Sequence, residues 1–262
     1  MATQVDPRAH VSPKASLADG VQVGAFALVE DDVTIGEGTR IGAHAIVHSG
    51  SRVGRDCKID SFASIGGAPQ DLKYAGEPTT LTIGDRVVVR EFVTLNRGTT
   101  ATGKTTIGND CLFMAYAHVA HDCTVGNNVI LANCCALGGH VHMGDWVILG
   151  GLTPVHQFCH VGEHAMIGGG FRVVKDVPPY ILAGSDPLIF ERLNIIGLRR
   201  RGFSNRAIEV LEQTYRIIYR SSLNVSQAVA RVKEEVEQTA EVQKVLSFIA
   251  GSTRGIISGY AH

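Results

Sequence analysis

Two histidines three residues apart, with a carboxylate directly after the second, are the side chains here best suited to moving a proton: His118, His121 and Asp122 in AHVAHDC. A neutral imidazole serves as a general base near pH 7, and an adjacent carboxylate orients it or stabilises its charged form. Eighteen residues after His121 comes Gly139, with His140 beside it, and eighteen further on comes Gln157. A glycine N–H in such company can sit beside a developing oxyanion. No serine with a His/Asp partner pattern is evident, so direct transfer without a covalent enzyme intermediate is the simpler chemistry. The His118-x-x-His121 spacing also allows a zinc site built from facing subunits.

The even spacing belongs to the elements that must position these residues. From Phe113 the chain reads in sixes as FMAYAH VAHDCT VGNNVI LANCCA LGGHVH MGDWVI LGGLTP VHQFCH. Each hexad opens on an aliphatic residue, Phe or Met, and its fifth slot is small. Openers run from Val5 to Ile65, resume at Ile83, Val89 and Leu95, and continue from Ile107 through Val173 to a stop at Pro178-Pro179. A short in-phase repeat marks a solenoid. A period of six suits neither a helix nor a simple alternating strand; it suits short strands joined by tight turns, with the first slot inward. The two lapses, near 66–82 and 97–106, read as loops excursing from the coil, where function is often carried.

Composition agrees with a narrow solenoid. The 262 residues include 30 Gly, and only 19% are charged. A net charge of −1 gives no case for nucleic acid, so any basic site must be local. No apolar run approaches the roughly 20 residues of a membrane span, and the N-terminus lacks a charged-then-apolar signal pattern. A cytoplasmic protein is expected. Of the six cysteines, all but Cys134 occupy the fifth slot, and no Cys-x-x-Cys pair occurs. They read as small core residues, not as a disulfide or zinc framework.

After Pro179 the texture changes. Pro187–Gly202 carries apolar positions at helical spacing and ends in Arg199-Arg200-Arg201. Ser204 is a plausible N-cap for a helix over Asn205–Ser221, Asn224 or Ser226 starts another, and Glu241–Ile249 reads as a last one. The division expected is a solenoid over 1–184 and a helical domain over 185–262.

The hexads resemble the hexapeptide-repeat acyltransferases, which implies a left-handed parallel β-helix of three hexads per coil followed by the helical domain. In such a coil His121, Gly139 with His140, and Gln157 stack along one edge. More specifically, GGAPQDLKYAGEP, AHVAHDCTVGNNVILAN, LGGHV, VHQFCHVG, DVPPYILAG and LNIIGLRRRGFS resemble the UDP-N-acetylglucosamine acyltransferase family of lipid A synthesis. The resemblance implies transfer of an (R)-3-hydroxyacyl chain from acyl carrier protein to the 3-hydroxyl of UDP-N-acetylglucosamine. It implies His121 as general base with Asp122 as its neighbour, and the Gly139 amide near the thioester oxygen. His118, His140, Gln157, Asp71 and Lys73 are implied as sugar or acyl contacts, and Asn194 and Arg200 as nucleotide contacts. It further implies a homotrimer with sites between subunits, no cofactor, no metal, and an acidic carrier protein docking on basic residues near the C-terminal end.

Two positions bear on specificity. Ile196 stands where some members of the family have an acidic residue, which puts one nucleotide contact in question. Gly169 matches a position that limits the acyl pocket when bulky; glycine there, with Met166 nearby, points to a longer acyl chain. Two other readings stand beside this one: transfer to a 3-amino UDP-sugar, and a zinc-binding trimer like the hexapeptide-repeat carbonic anhydrases. A non-catalytic scaffold would have no need of the stacked His121, His140 and Gln157.

Overall fold

The computed structural model describes residues 2–259. Its hexads form short strands in three sheets of 11, 8 and 8 strands. Neighbouring strands run parallel, and their register advances by eighteen residues, as in Gln4↔Gln22 and Gln22↔Arg40. Each coil therefore turns through three hexads, and the sheets are the faces of a triangular prism. Face A carries Gln22–Val23 and Ile148–Leu149, face B carries His118–Val119, and face C carries Thr124–Val125.

Hexad openers fill the prism. Ile35, Ile65, Leu95, Val119 and Leu137 are fully buried, each worth about 1.5–3 kcal/mol relative to exposure. The fifth slot is equally buried and holds Ala27, Ala45 and Ala63 or Cys111, Cys123 and Cys135, because little room remains near the axis. Burial pushes the Cys123 thiol up to about 12, so it stays an inert thiol. The six cysteines are free, and Cys134 alone among them is exposed.

Corners explain the polar slots. The second corner residue takes a left-handed conformation, as in Asp122 (φ 59°), His140 (φ 60°) and Phe158 (φ 64°). Few non-glycine residues do so readily, and Asp, Asn and His are among those that tolerate it best. The shared geometry lays successive corner side chains over one another. On the A/B edge, Phe26, His44, Phe62, Phe92 and Tyr116 form a stack of rings 4.9–5.1 Å apart.

The excursions are shorter than the hexad rhythm suggests. Strands Ser64–Gly67, Thr80–Ile83, Thr94–Asn96 and Lys104–Ile107 run into both lapses, leaving loops over 68–79 and 97–103. Backbone pairing does not need an aliphatic opener: Thr80 pairs with Lys104 and Leu81 with Thr105, side by side on face C. The two loops therefore leave the prism next to each other.

The helical end differs in one respect from expectation. Within Pro187–Gly202, Ile189–Leu193 is a strand, antiparallel to Ile181–Gly184. The last coil would otherwise expose an unpaired sheet edge, and pairing it outweighs the helical spacing. Helices α1 (Ile195–Arg200), α2 (Asn205–Arg220), α3 (Val225–Glu235) and α4 (Ala240–Gly251) follow. Ser204 caps α2 by accepting from Ala207 N, and Asn224 forms a capping box on α3. The Tyr215 hydroxyl of α2 donates to Pro179 O at 2.6 Å, and Lys244 of α4 pairs with Glu163 at 2.8 Å, tying the helices to the prism. Among the described residues no helix is long and apolar enough to cross a membrane.

Candidate active site

His118 ends up on face B, and His121 and Asp122 form the B/C corner that follows it. Asp122 is 3% exposed, and its carboxylate accepts from four donors. Oδ2 takes His121 Nδ1 at 2.8 Å and Thr99 Oγ1 at 2.6 Å; Oδ1 takes Thr99 N at 3.0 Å and the Thr102 hydroxyl. Burial alone would raise the Asp122 pKa. The bonds from Thr102, Thr99 and His121 outweigh it and hold the acid at about 2. An anionic acceptor at Nδ1 fixes the proton there, which leaves His121 Nε2 with the lone pair.

The next coil supplies the floor. Gly139 lies against the His121 ring, so close that a Cβ built on it would fall 2.6 Å from Cε1. Among the described residues nothing accepts the Gly139 N–H. His140 meets His121 edge-on at 5.2 Å and stacks on Phe158 at 4.5 Å. His118 Nδ1 bonds the Thr94 hydroxyl at 2.6 Å; burial, then the nearby His121, lowers its pKa and keeps it neutral. Gln157 follows on the same edge, exposed, one coil further along.

The zinc reading meets an obstacle in this geometry. His121, Asp122 and His140 are, among the described residues, the one group of three donors close enough to share an ion. His140 Nε2 stands 3.7 Å from Asp122 Oδ2, but both carboxylate oxygens are already taken by His121, Thr99 and Thr102. A cation would have to break the His121 and Thr99 bonds to reach them.

Asp71 and Lys73 lie in the first loop. The Asp71 carboxylate accepts from Lys73 N at 3.0 Å and so shapes the turn, while the Lys73 side chain is exposed. Tyr74 ties this loop to the second through Arg97, whose Nη2 donates to the Tyr74 hydroxyl at 2.9 Å.

The remaining expected residues are elsewhere. Met166, Asn194 and Arg200 line an open cleft of about 1370 Å³ beside face A, together with Trp146, Ile148 and Ile196. Asn194 is buried and spends its amide on structure: it caps α1 through Gly197 N at 3.2 Å and donates to His164 O at 3.0 Å. Arg201 lies 5.1 Å over the Trp146 ring and donates to Trp146 O, which leaves Arg200 and Arg192 as the exposed guanidinium groups on the cleft. Ile196 is 66% exposed there. Gly169 is exposed at the A/B corner, where a Cβ would meet Gly151 O at 3.0 Å, and it does not line the cleft. Within one chain, then, the histidine cluster and the arginine cleft occupy different faces, with the ring stack on the edge between them.

Sequence reasoning missed Thr99 and Thr102, whose only signal was a Gly/Thr-rich lapse beside the cluster, and the Thr94–His118 pair. The eighteen-residue recurrence of Phe26, His44 and Phe62 was a readable sign of the ring stack.

The family described as Udp N-acetylglucosamine O-acyltransferase, Domain 2, matches residues 176–257, and the bacterial transferase hexapeptide repeat matches 32–67 and 104–139. The chain is 48% identical over 258 residues to an acyl-[acyl-carrier-protein]--UDP-N-acetylglucosamine O-acyltransferase of Thiobacillus denitrificans, covering 98% of this chain and 100% of the relative. A relative of the same name from Pseudomonas entomophila is 48% identical, over 97% of this chain and 99% of its own. Among solved structures, a UDP-N-acetylglucosamine acyltransferase from Bacteroides fragilis is 45% identical with a TM-score of 0.95, covering 96% of this chain and 99% of that one. The fold is the left-handed parallel β-helix with a C-terminal helical part that the family resemblance implies.

Proposed function

This chain belongs to the UDP-N-acetylglucosamine O-acyltransferase family, and we propose that it uses His121 as the general base for moving an acyl chain from acyl carrier protein to the sugar nucleotide. In the fuller form of the reading, the donor is an (R)-3-hydroxyacyl thioester, the acceptor is the glucosamine 3-hydroxyl, and the product opens lipid A synthesis. The observation that carries the reading is the His121–Asp122 pair, with Nδ1 held by an anion and Nε2 left free.

The chemistry follows from that tautomer. His121 Nε2 takes the proton of the sugar hydroxyl as its oxygen attacks the thioester carbonyl carbon. Asp122 stabilises the imidazolium that results. The carbonyl oxygen becomes an oxyanion beside the unpaired Gly139 N–H. Collapse breaks the carbon–sulfur bond, and the imidazolium returns its proton to the leaving thiolate. His118, His140 and Gln157 bind and orient substrate at the same edge, and Lys73 reaches in from the first loop. No cofactor enters this scheme.

A homotrimer supplies what one chain lacks. The B/C corner beside face B holds the base, and the cleft beside face A holds Arg200, whose guanidinium suits a pyrophosphate. Packing three prisms with their A/B edges inward lays face A of one against face B of the next. The inward edge would bury the ring stack, whose members Phe26, Phe62 and Tyr116 are each half exposed or more in a single chain. Met166 and Ile148 on face A then border the acyl path, with Gly169 leaving room for a longer chain. Arg172 and Lys175, exposed at the end of the prism, offer a docking surface to an acidic carrier protein in the cytoplasm.

The test is transfer from 3-hydroxyacyl carrier proteins of about 10 to 16 acyl carbons to UDP-N-acetylglucosamine, with wild type and His121→Ala. The expected result is one preferred length, and loss of roughly 10²–10⁴-fold in rate for the variant while the trimer persists. Surviving activity in His121→Ala would remove the general-base assignment.

A further inference from the structure

We propose that Thr99 is a positioning residue for His121, acting through Asp122 across the gap between the second loop and the prism edge. The inference rests on the general-base reading of His121.

Three observations support it. Thr99 is 8% exposed and makes two bonds to one carboxylate, N to Oδ1 at 3.0 Å and Oγ1 to Oδ2 at 2.6 Å. The second bond falls on the same oxygen that accepts from His121 Nδ1 at 2.8 Å. The loop presenting Thr99 is itself built: Gly103 N returns to Thr99 O at 2.8 Å, the flanking strand Lys104–Ile107 is locked in register with Thr80–Ile83, and Arg97 is held by Tyr74. A hydroxyl so placed fixes the carboxylate's rotation, so that its remaining lone pair faces Nδ1. It also spreads the charge that would otherwise concentrate on Oδ2.

The groups facing the His121 ring are few. Asp122 lies on Nδ1, His140 meets the ring edge-on, and His118 precedes it on face B. Asp122 alone among them bonds the ring, so a change in how its carboxylate is satisfied reaches His121 directly. Without the Thr99 hydroxyl, the carboxylate favours the imidazolium more strongly, and the base keeps its proton to higher pH.

The test is the pH profile of kcat/KM for wild type, Thr99→Ser, Thr99→Val and Thr102→Val, with thermal melting as the check on folding. Thr99→Val keeps the backbone bond to Oδ1 but loses the hydroxyl. Its acidic limb should move upward by about half a unit or more, with several-fold lower activity below neutral pH. Thr99→Ser should restore the wild-type limb. Thr102→Val should move it in the same direction by less, because that hydroxyl bonds the other oxygen. An unmoved limb in Thr99→Val, or no restoration by Thr99→Ser, overturns the proposal. Should Thr99→Val not fold, an unmoved limb in Thr102→Val overturns it instead. His121→Ala, run alongside, separates the two ideas: an active His121→Ala sinks the general-base reading itself, whereas an inactive one with an unmoved Thr99→Val limb sinks only the role of Thr99.

Discussion

The His121 imidazole occupies the space into which a side chain at Gly139 would grow, with Cε1 only 2.6 Å and Nε2 only 2.7 Å from where that Cβ would stand. A ring and a backbone from successive coils touch because the corners are in register, His140 N donating to His121 O at 3.1 Å. Glycine at 139 is thus required by close approach. Gly139→Ala should push the ring off Asp122 and lower kcat by roughly 100-fold, the usual scale for a misplaced catalytic group. Near wild-type turnover in a steady-state assay would contradict the contact.

Acid should loosen the second loop before the prism. Asp122 is held at about 2 in the folded chain, below the roughly 3.9 of an unfolded aspartate. A depressed carboxyl contributes stability that is present above the unfolded value and is lost as pH falls from about 4 towards 2. Hydrogen-exchange protection of the Thr99 amide, corrected for intrinsic rate, should fall across that window, while amides of face A keep theirs.

A histidine of the cleft, away from the His121 cluster, gives a second pH signature. Burial, then Arg201, lowers the His164 pKa to about 4. The unfolded chain takes up that proton near pH 6.5 and the folded one resists it, so stability declines as pH drops from 6.5 to 4, by up to roughly 3 kcal/mol. His164→Phe keeps a ring between Trp146 and Tyr180 and should flatten the melting temperature across that range.

The neighbouring arginines should separate in assay. Arg200→Ala removes an exposed guanidinium of the cleft and should raise KM for the sugar nucleotide about tenfold or more, with kcat nearly kept. Arg201→Ala removes the cation over Trp146 and should instead lower stability by about 0.5–2 kcal/mol. Equal KM effects in the two variants would contradict this division.

The prism was legible because every hexad slot sees the same surroundings in every coil, so one environment prints the same residue type again and again. His121, Gly139 and Gln157 could be grouped by counting in eighteens for the same reason. Thr99 could not, since its loop leaves the lattice and no period says where a loop returns. Asn194 and Arg200 were legible as a motif, but a motif does not say which face it covers; in the fold they lie beside face A, away from His121. The Ile189–Leu193 strand was misread as helical because the demand for it comes from an open edge, Ile181–Gly184, formed by residues that precede it.

Phe62 and Phe92 stack at 5.1 Å although thirty residues separate them, and Phe92 and Tyr116 stack at 4.9 Å across twenty-four. Both separations exceed one coil by whole hexads. The chain leaves the lattice and re-enters it in frame, so neither departure disturbs the order of rings on the far edge. Loop length and scaffold are in this sense independent variables. A loop can be exchanged or lengthened by any amount that restores the frame, and the fold becomes a cassette holder: new recognition arms can be tried against a fixed base, one insertion at a time.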